Sequence, residues 1–291
     1  MVQTTPRPVT TPQPVPGPEQ ARAGTRARTG DATSAGGLLR GWRMRRGLSQ
    51  MELALRADVS ARHVSFVETG RSRPTPSMIV TLCEGLDVPL RERNTVLLAG
   101  GYAPAYPERG LADPPMAAVC DAIAHILNVH APYPALVVDR GWDLVDANDA
   151  LAPLLAGVAD TTLLEPPVNV LRLSLHPGGL APHIENLAAW RAHLLHRLGK
   201  EIEASGDAAL ASLHAELRGY PGPGDAGTVA DGGGGAGEGI IVPLRLRTAA
   251  GVLSMLSVTT VFGTPLEVTV SELAIESFYP ADAATARAFT G

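Results

Sequence analysis

Lysine is almost missing from this chain of 291 residues: Lys200 stands alone among 24 basic side chains. Aromatic residues make up 4%, and there are two cysteines, Cys83 and Cys120. Two cysteines so far apart give neither a disulfide framework nor the paired spacing of a zinc site. Both lie in helix-like apolar stretches, so buried, inert thiols are expected. No charge-free apolar run of about 18 residues occurs, which excludes an ordinary helical membrane span. The opening stretch TTPRPVTTPQPVPGPEQ has no apolar signal core, so a cytoplasmic protein without a membrane partner is expected. The glycine run at 232–235 lacks the Lys-Ser/Thr partner of a phosphate loop. There is no Ser-His-Asp order, nucleophile elbow or convincing carboxylate pair. His193 and His196 lie three apart, with His176 and His183 upstream, but the spacing is not that of a metal site. No enzyme, metal or cofactor is expected.

What is present divides by charge. The whole chain carries −5, which by itself argues against nucleic acid. Residues 38–100, however, hold ten arginines against six carboxylates, a net of +4, leaving −9 for the rest. Residues 1–36 are rich in Pro, Thr, Gly and Arg, and read as a disordered tail. Its arginines (Arg7, Arg22, Arg26 and Arg28) either touch phosphates or are simply solvated.

Five short helical patterns fill 37–101. Residues 38–46 carry Leu38, Leu39 and Trp42 at helical spacing and stop at Gly47. Ser49 with Glu52 forms a capping box ahead of a helix over Gln50–Arg56. After a tight turn at residues 57–59, Ser60 caps a helix over Ala61–Glu68. Further helices are expected at 77–86 and 90–99. Leu53, Ala54, Val59, Val64 and Val67 form an inner face, leaving Ala61, Arg62, Ser65 and Phe66 outside.

These residues resemble the Cro/repressor-type, or xenobiotic-response-element, helix-turn-helix family. The matching stretch is LRGWRMRRGLSQMELALRADVSARHVSFVETGRSRP, with its S-Q-x-E-L-A, V-S and V-E-x-G elements. The resemblance implies a bacterial transcription regulator with a lambda-repressor-like fold that binds double-stranded DNA, expected as a homodimer on paired half-sites. Gln50 would meet a phosphate or outer base and brace the reading helix. Ser60, Ala61, Arg62, Ser65 and Phe66 would face the major groove, with Arg62 forking onto a guanine. Phe66 departs from the polar residue common there; it either meets a thymine methyl or is packed away. Arg43 and Glu68 match a structural ion pair, and Arg71 and Arg73 suit phosphates.

Residues 102–115 read as a linker. Beyond them a helix at 116–129 and a hairpin (135–139 and 142–146) are expected, then a short helix at 147–156 and long helices at 182–204 and 207–218. A flexible Gly-rich loop follows at 219–239. An antiparallel meander is expected from the β-branched runs 240–247, 252–262 and 266–271. The stretches VVDRGWDLVDANDAL, NVLRLSLHP and the final strand-rich segment resemble the MmyB-like ligand-binding domain, with a PAS-like fold, over 116–286. The fold class expected is therefore α+β multidomain: a five-helix all-α domain, then a PAS-like antiparallel sheet. The resemblance implies a small apolar, fatty-acid-like ligand. Trp142, Leu144, Leu171, Leu175, Trp190, Leu194, Met255 and Phe262 are candidate lining residues, and Arg172 or His176 is a candidate for a ligand carboxylate. The plainer alternative makes these residues ordinary core, and the domain a dimerisation or protein-interaction module.

Overall fold

A computed structural model describes residues 31–222 and 241–290. The tail before residue 31 and most of the Gly-rich loop lie outside the described residues. The first helix, α1 (Ala35–Arg45), begins three residues earlier than the apolar run suggests, because the Ser34 hydroxyl accepts from Gly37 N at 3.1 Å. Gly36 costs helix propensity but permits contact: a Cβ there would lie 2.1 Å from the Val67 carbonyl oxygen. Close approach of two helices outweighs local preference at this point.

The helices α2 (Gln50–Arg56) and α3 (Ala61–Glu68) keep the bounds their caps dictate. Ser49 N donates to Glu52 Oε2 at 2.7 Å, and Glu52 N to the Ser49 hydroxyl at 3.2 Å. Ser60 Oγ accepts from His63 N at 3.1 Å. Between the helices Asp58 takes φ 52°, a left-handed turn that Asp tolerates. Val59 N then closes α2 onto Ala54 O at 2.9 Å. With α4 (Pro76–Gly85) and α5 (Leu90–Ala99) these helices bury Leu39, Trp42, Leu53, Val64, Val67, Ile79, Leu82, Cys83 and Leu97 in one core. Each fully buried Leu or Val contributes roughly 1.5–3 kcal/mol.

Burial pushes the Cys83 thiol up to about 12. The thiolate is the reactive form, so Cys83 resists alkylation at pH 8 until the headpiece unfolds. A thiol count with a chromogenic disulfide is expected to find no more than one accessible cysteine in native protein and two in denaturant.

The segment that composition marks as a linker is fastened down. Asn94 Oδ1 accepts from the backbone of Ala105 and Tyr106 at 3.0 and 3.1 Å, and its Nδ2 donates to Tyr106 O at 2.7 Å. Farther on, Arg109 N donates to Glu267 Oε1 at 2.7 Å, and Val268 N to Pro107 O at 2.8 Å.

After α6 (Ala117–His130), five strands form an antiparallel sheet in the order β2-β1-β5-β4-β3. The strands are β1 (Ala135–Val138), β2 (Leu144–Ala147), β3 (Leu244–Thr248), β4 (Gly251–Val261) and β5 (Ala274–Pro280). The last strand returns between the first and fourth, joining the early hairpin to the late meander in one PAS-like sheet. Side chains alternate between faces. One face, with Leu136, Val138, Leu246 and Met255, packs under α7 (Val170–Leu175), α8 (Leu187–Ser205) and α9 (Ala208–Arg218). The other, with Val137 and Ile275, packs on Ile123 and Leu127 of α6.

Three local expectations are corrected. Residues 266–271 hold a helical turn, α10 (Val268–Ser271), because Glu267 caps it by accepting from Val270 N at 2.8 Å; the final strand lies farther on, at β5. Trp142 belongs to the hairpin turn at φ 65°, with Asp139 Oδ1 accepting from Gly141 N and Asp143 N at 2.8 and 3.0 Å. The helix expected at 147–156 is a 3₁₀ segment, Asp149–Leu155, with Pro153 inside it. The chain closes on α11 (Ala283–Thr290), where Ser254 N donates to Thr285 Oγ1 at 2.9 Å.

Candidate DNA-reading face and ligand cavity

The headpiece is organised around one carboxylate. Glu68, at the end of α3, is 2% exposed. It accepts from Arg43 Nε at 2.6 Å and Arg43 Nη2 at 2.9 Å, and from Gln50 Nε2 at 2.8 Å. The expected Arg43–Glu68 pair is therefore formed, and Gln50 braces α3 through that same carboxylate. Arg43 also donates to Leu48 O at 2.7 Å. Hydrogen bonds to Glu68 raise the Arg43 guanidinium further above its ordinary value, against the opposing pull of burial.

This brace turns the other side of α3 outward. Arg62 is exposed at the start of the helix, after Ser60 and Ala61. Its guanidinium lies 5.1 Å from the centre of the Phe66 ring, and that of Arg71 lies 5.9 Å from it. Phe66 is half-buried, an aromatic support for two cations. Ser65 is also half-buried, and its carbonyl accepts from the Thr69 hydroxyl at 2.7 Å. Arg73 is exposed but points toward α5, donating to Gly100 O at 2.9 Å and lying 5.4 Å from the Tyr102 ring centre.

In the second domain a cavity of about 90 Å³ lies between the sheet and the helices over it. Five of the expected lining residues meet there: Trp142, Leu144, Leu171, Trp190 and Leu194. They are joined by Leu136, Leu151, Leu154, Val170, Leu173, Leu180, Leu244, Leu246 and Phe278. Leu175 and Met255 are buried in the adjoining core without lining the space. Phe262 packs on the opposite face with the α6 cluster; it lies an odd number of positions along from Met255, and alternation sends the two to opposite faces. Arg172 also stays outside, paired through Nε and Nη2 with Glu216 at 2.8 Å each. Those bonds hold the Glu216 carboxyl below its usual range.

A polar end of this cavity escaped the sequence reading. Arg197 and Glu276 face it, with Ser174, His193 and Ser257. Glu276 is 4% exposed. Arg197 also lies 4.5 Å from the centre of the Trp142 ring, whose Nε1 donates to Glu201 Oε2 at 2.8 Å. Burial lowers the Arg197 guanidinium, but bonding to Glu276 more than offsets this and leaves it raised. Burial also lifts the Glu201 carboxyl and lowers the His193 imidazole. The available signal was parity: Ala274, Glu276 and Phe278 share a face, so the charge in this run points inward.

A second missed cluster joins the domains. Arg91 of α5 donates to Glu272 at 2.7 and 2.8 Å and to Glu108 at 2.6 Å. Arg140, in the Trp142 turn, binds Asp207 and reaches Glu272 at 3.4 Å. Arg45 Nη1 donates to Ser205 O at 3.2 Å.

Among the described residues, no helix is long and apolar enough to cross a membrane, and no three His, Cys, Asp or Glu side chains converge as a metal site. His176 accepts from Gly178 N at 3.0 Å, and His183 lies 2.8 Å from Gly157 O.

A braced helix with Arg62 on its outer side and Arg71 just beyond its end, joined to a sheet domain with an apolar cavity, defines the helix-turn-helix class with an attached sensor-type domain. Residues 34–96 match a helix-turn-helix domain, and residues 119–290 match the MmyB-like transcription regulator ligand binding domain. The second match spans more than half of the chain, which belongs to that family. Relatives include the transcriptional regulator ClgR of two strains of Mycobacterium tuberculosis, 35% identical over 74 residues. The match covers 25% of this chain and 63% of the relative, less than two thirds of its length.

Proposed function

We propose that this protein is a cytoplasmic, sequence-specific transcription regulator. It binds double-stranded DNA through α3 and takes a small apolar ligand in the cavity of its second domain. The observation that carries this reading is the row of Arg62 and Phe66 on a helix fixed by its buried end, continued by Arg71 in the turn just beyond it. Arg62 reads a base edge; Ser60, Ala61 and Ser65 set its approach; Arg71 holds a phosphate, and Arg73 reaches one only with the nitrogens that its bond to Gly100 O leaves over. The test is fluorescence anisotropy of the full chain against DNA upstream of its own gene, beside a shuffled duplex, across a salt series. Tight, upstream-selective binding that weakens with salt is expected. No binding at low salt from folded protein would remove the reading.

Ligand control needs a route between the sites and different ligand affinity in the two states. Trp142 lines the cavity two residues after Arg140, and Arg140 shares Glu272 with Arg91 of the headpiece. Replacing Arg91 with Ala is expected to raise protease cleavage after Glu108 about fivefold. That corresponds to losing about 1 kcal/mol from partly exposed ion pairs, with cleavage tracking the open population. An unchanged rate would mean that Arg91 does not hold the junction.

A homodimer fits the apolar surface left on the α6 side of the sheet. Val258 and Tyr279 are exposed there, and α6 itself exposes Ile126 and Val129. The same surface favours the second reading, in which the domain serves association alone. Sedimentation of the purified chain reads the dimer.

A further inference from the structure

The charge balance at the polar end of the cavity specifies a class of ligand. Glu276 accepts from four donors: Arg197 Nη1 at 3.1 Å, Arg197 Nη2 at 2.5 Å, and the hydroxyls of Ser257 and Thr259 at 2.9 Å each. A carboxylate offers about four lone-pair sites, so its accepting capacity is filled. Arg197 is the single arginine or lysine among the described lining residues, and both terminal nitrogens are engaged by that carboxylate. Its remaining Nε lies 3.4 Å from Glu201 Oε1, so a second carboxylate takes that edge. Arg172, the other candidate cation, is outside the cavity and bound to Glu216.

An incoming carboxylate therefore finds no unneutralised positive charge. To reach Arg197 it would displace Glu276 and leave a buried anion without its partner, which is costly. An uncharged ligand disturbs nothing: its body meets Leu and Trp side chains, and a hydroxyl needs only neutral partners. Of the uncharged lining groups, Ser174 accepts from Trp190 Nε1 at 3.1 Å, and burial keeps the stacked His193 toward its neutral form. Size points the same way. An apolar cavity of about 150 Å³ holds benzene, and this one measures about 90 Å³. Even a compact molecule therefore requires the wall to give, and a long acyl chain requires it to open much farther.

We propose that the cavity selects a compact, uncharged apolar molecule, such as a short alcohol or small hydrocarbon ring, and discriminates against carboxylates. This rests on the ligand-binding reading above and narrows it from fatty-acid-like to neutral.

The experiment compares 1-hexanol with hexanoate at pH 7.5 on the full chain. Tryptophan fluorescence is the readout, because two of the three tryptophans, Trp142 and Trp190, line the cavity. Hexanol is expected to bind at least tenfold more tightly than hexanoate. In Glu276→Gln, which frees both terminal nitrogens of Arg197 from a carboxylate and leaves only Glu201 against its Nε, that gap is expected to narrow. Hexanoate binding wild type as well as hexanol does would overturn the charge inference alone, leaving the cavity as a ligand site. A gap unchanged in folded Glu276→Gln would also overturn it. A response to neither compound would overturn the ligand-binding reading and this inference together. Should Glu276→Gln not fold, the wild-type comparison decides by itself.

Discussion

Replacing Glu68 with Ala lowers the stability of the headpiece by about 3–5 kcal/mol, the cost of breaking a buried ion pair from one side. The guanidinium of Arg43, 12% exposed, would keep only the Leu48 carbonyl, and Gln50 would lose its acceptor. Against a domain stability of about 5–15 kcal/mol this is a large share. Chemical denaturation, followed through Trp42 in a headpiece fragment or by helix content in the full chain, measures it. The loss belongs to the orphaned charge more than to the pair. Arg43→Met combined with Glu68→Leu, which removes both charges and fills the space, is therefore expected to recover most of it. A Glu68→Ala loss below about 1 kcal/mol would show that water reaches Arg43 after all.

The second large effect is on specificity. Arg62→Ala is expected to reduce the ratio of upstream to shuffled DNA affinity by about 5- to 150-fold, the equivalent of about 1–3 kcal/mol for a forked arginine–guanine contact. Stability should hardly move, because the side chain is exposed and its neighbour is the Phe66 ring. Arg71→Ala is the control. As a phosphate contact it should weaken both duplexes alike and reduce the salt slope by about one. An Arg62→Ala protein with unchanged selectivity would remove Arg62 from base reading, whatever its affinity.

The headpiece was legible because its signals are local. Ser49 and Ser60 cap α2 and α3 through bonds spanning three residues, and both helices begin where those serines place them. The second domain was legible in its strands and less so in its details. Residues 266–271 carry strong β-branched character, yet the Glu267 cap and its bond to Arg109 N bend them into a turn. Trp142 reads as strand by composition, but the Asp139 side chain folds the chain back through it. Five of the cavity's 20 lining residues followed from the family resemblance. The Arg197–Glu276 pair did not, because its partners come from α8 and β5, 79 residues apart, and only the registry of the sheet brings Ser257 and Thr259 onto the same carboxylate.

The single carboxylate shared by α1, α2 and α3 also bears on timing. Amide protons of α3 are expected to exchange with solvent only when the whole headpiece opens, since no smaller opening frees Glu68 from both partners. A bound ligand then has no means of softening the reading helix by itself. What it can alter is the pose of an intact headpiece on its second domain. In the proposed dimer, that pose sets the distance between two reading helices. Regulation would therefore be recorded in the DNA as a change in the tolerated spacing between half-sites, with the preferred bases within each half-site unchanged.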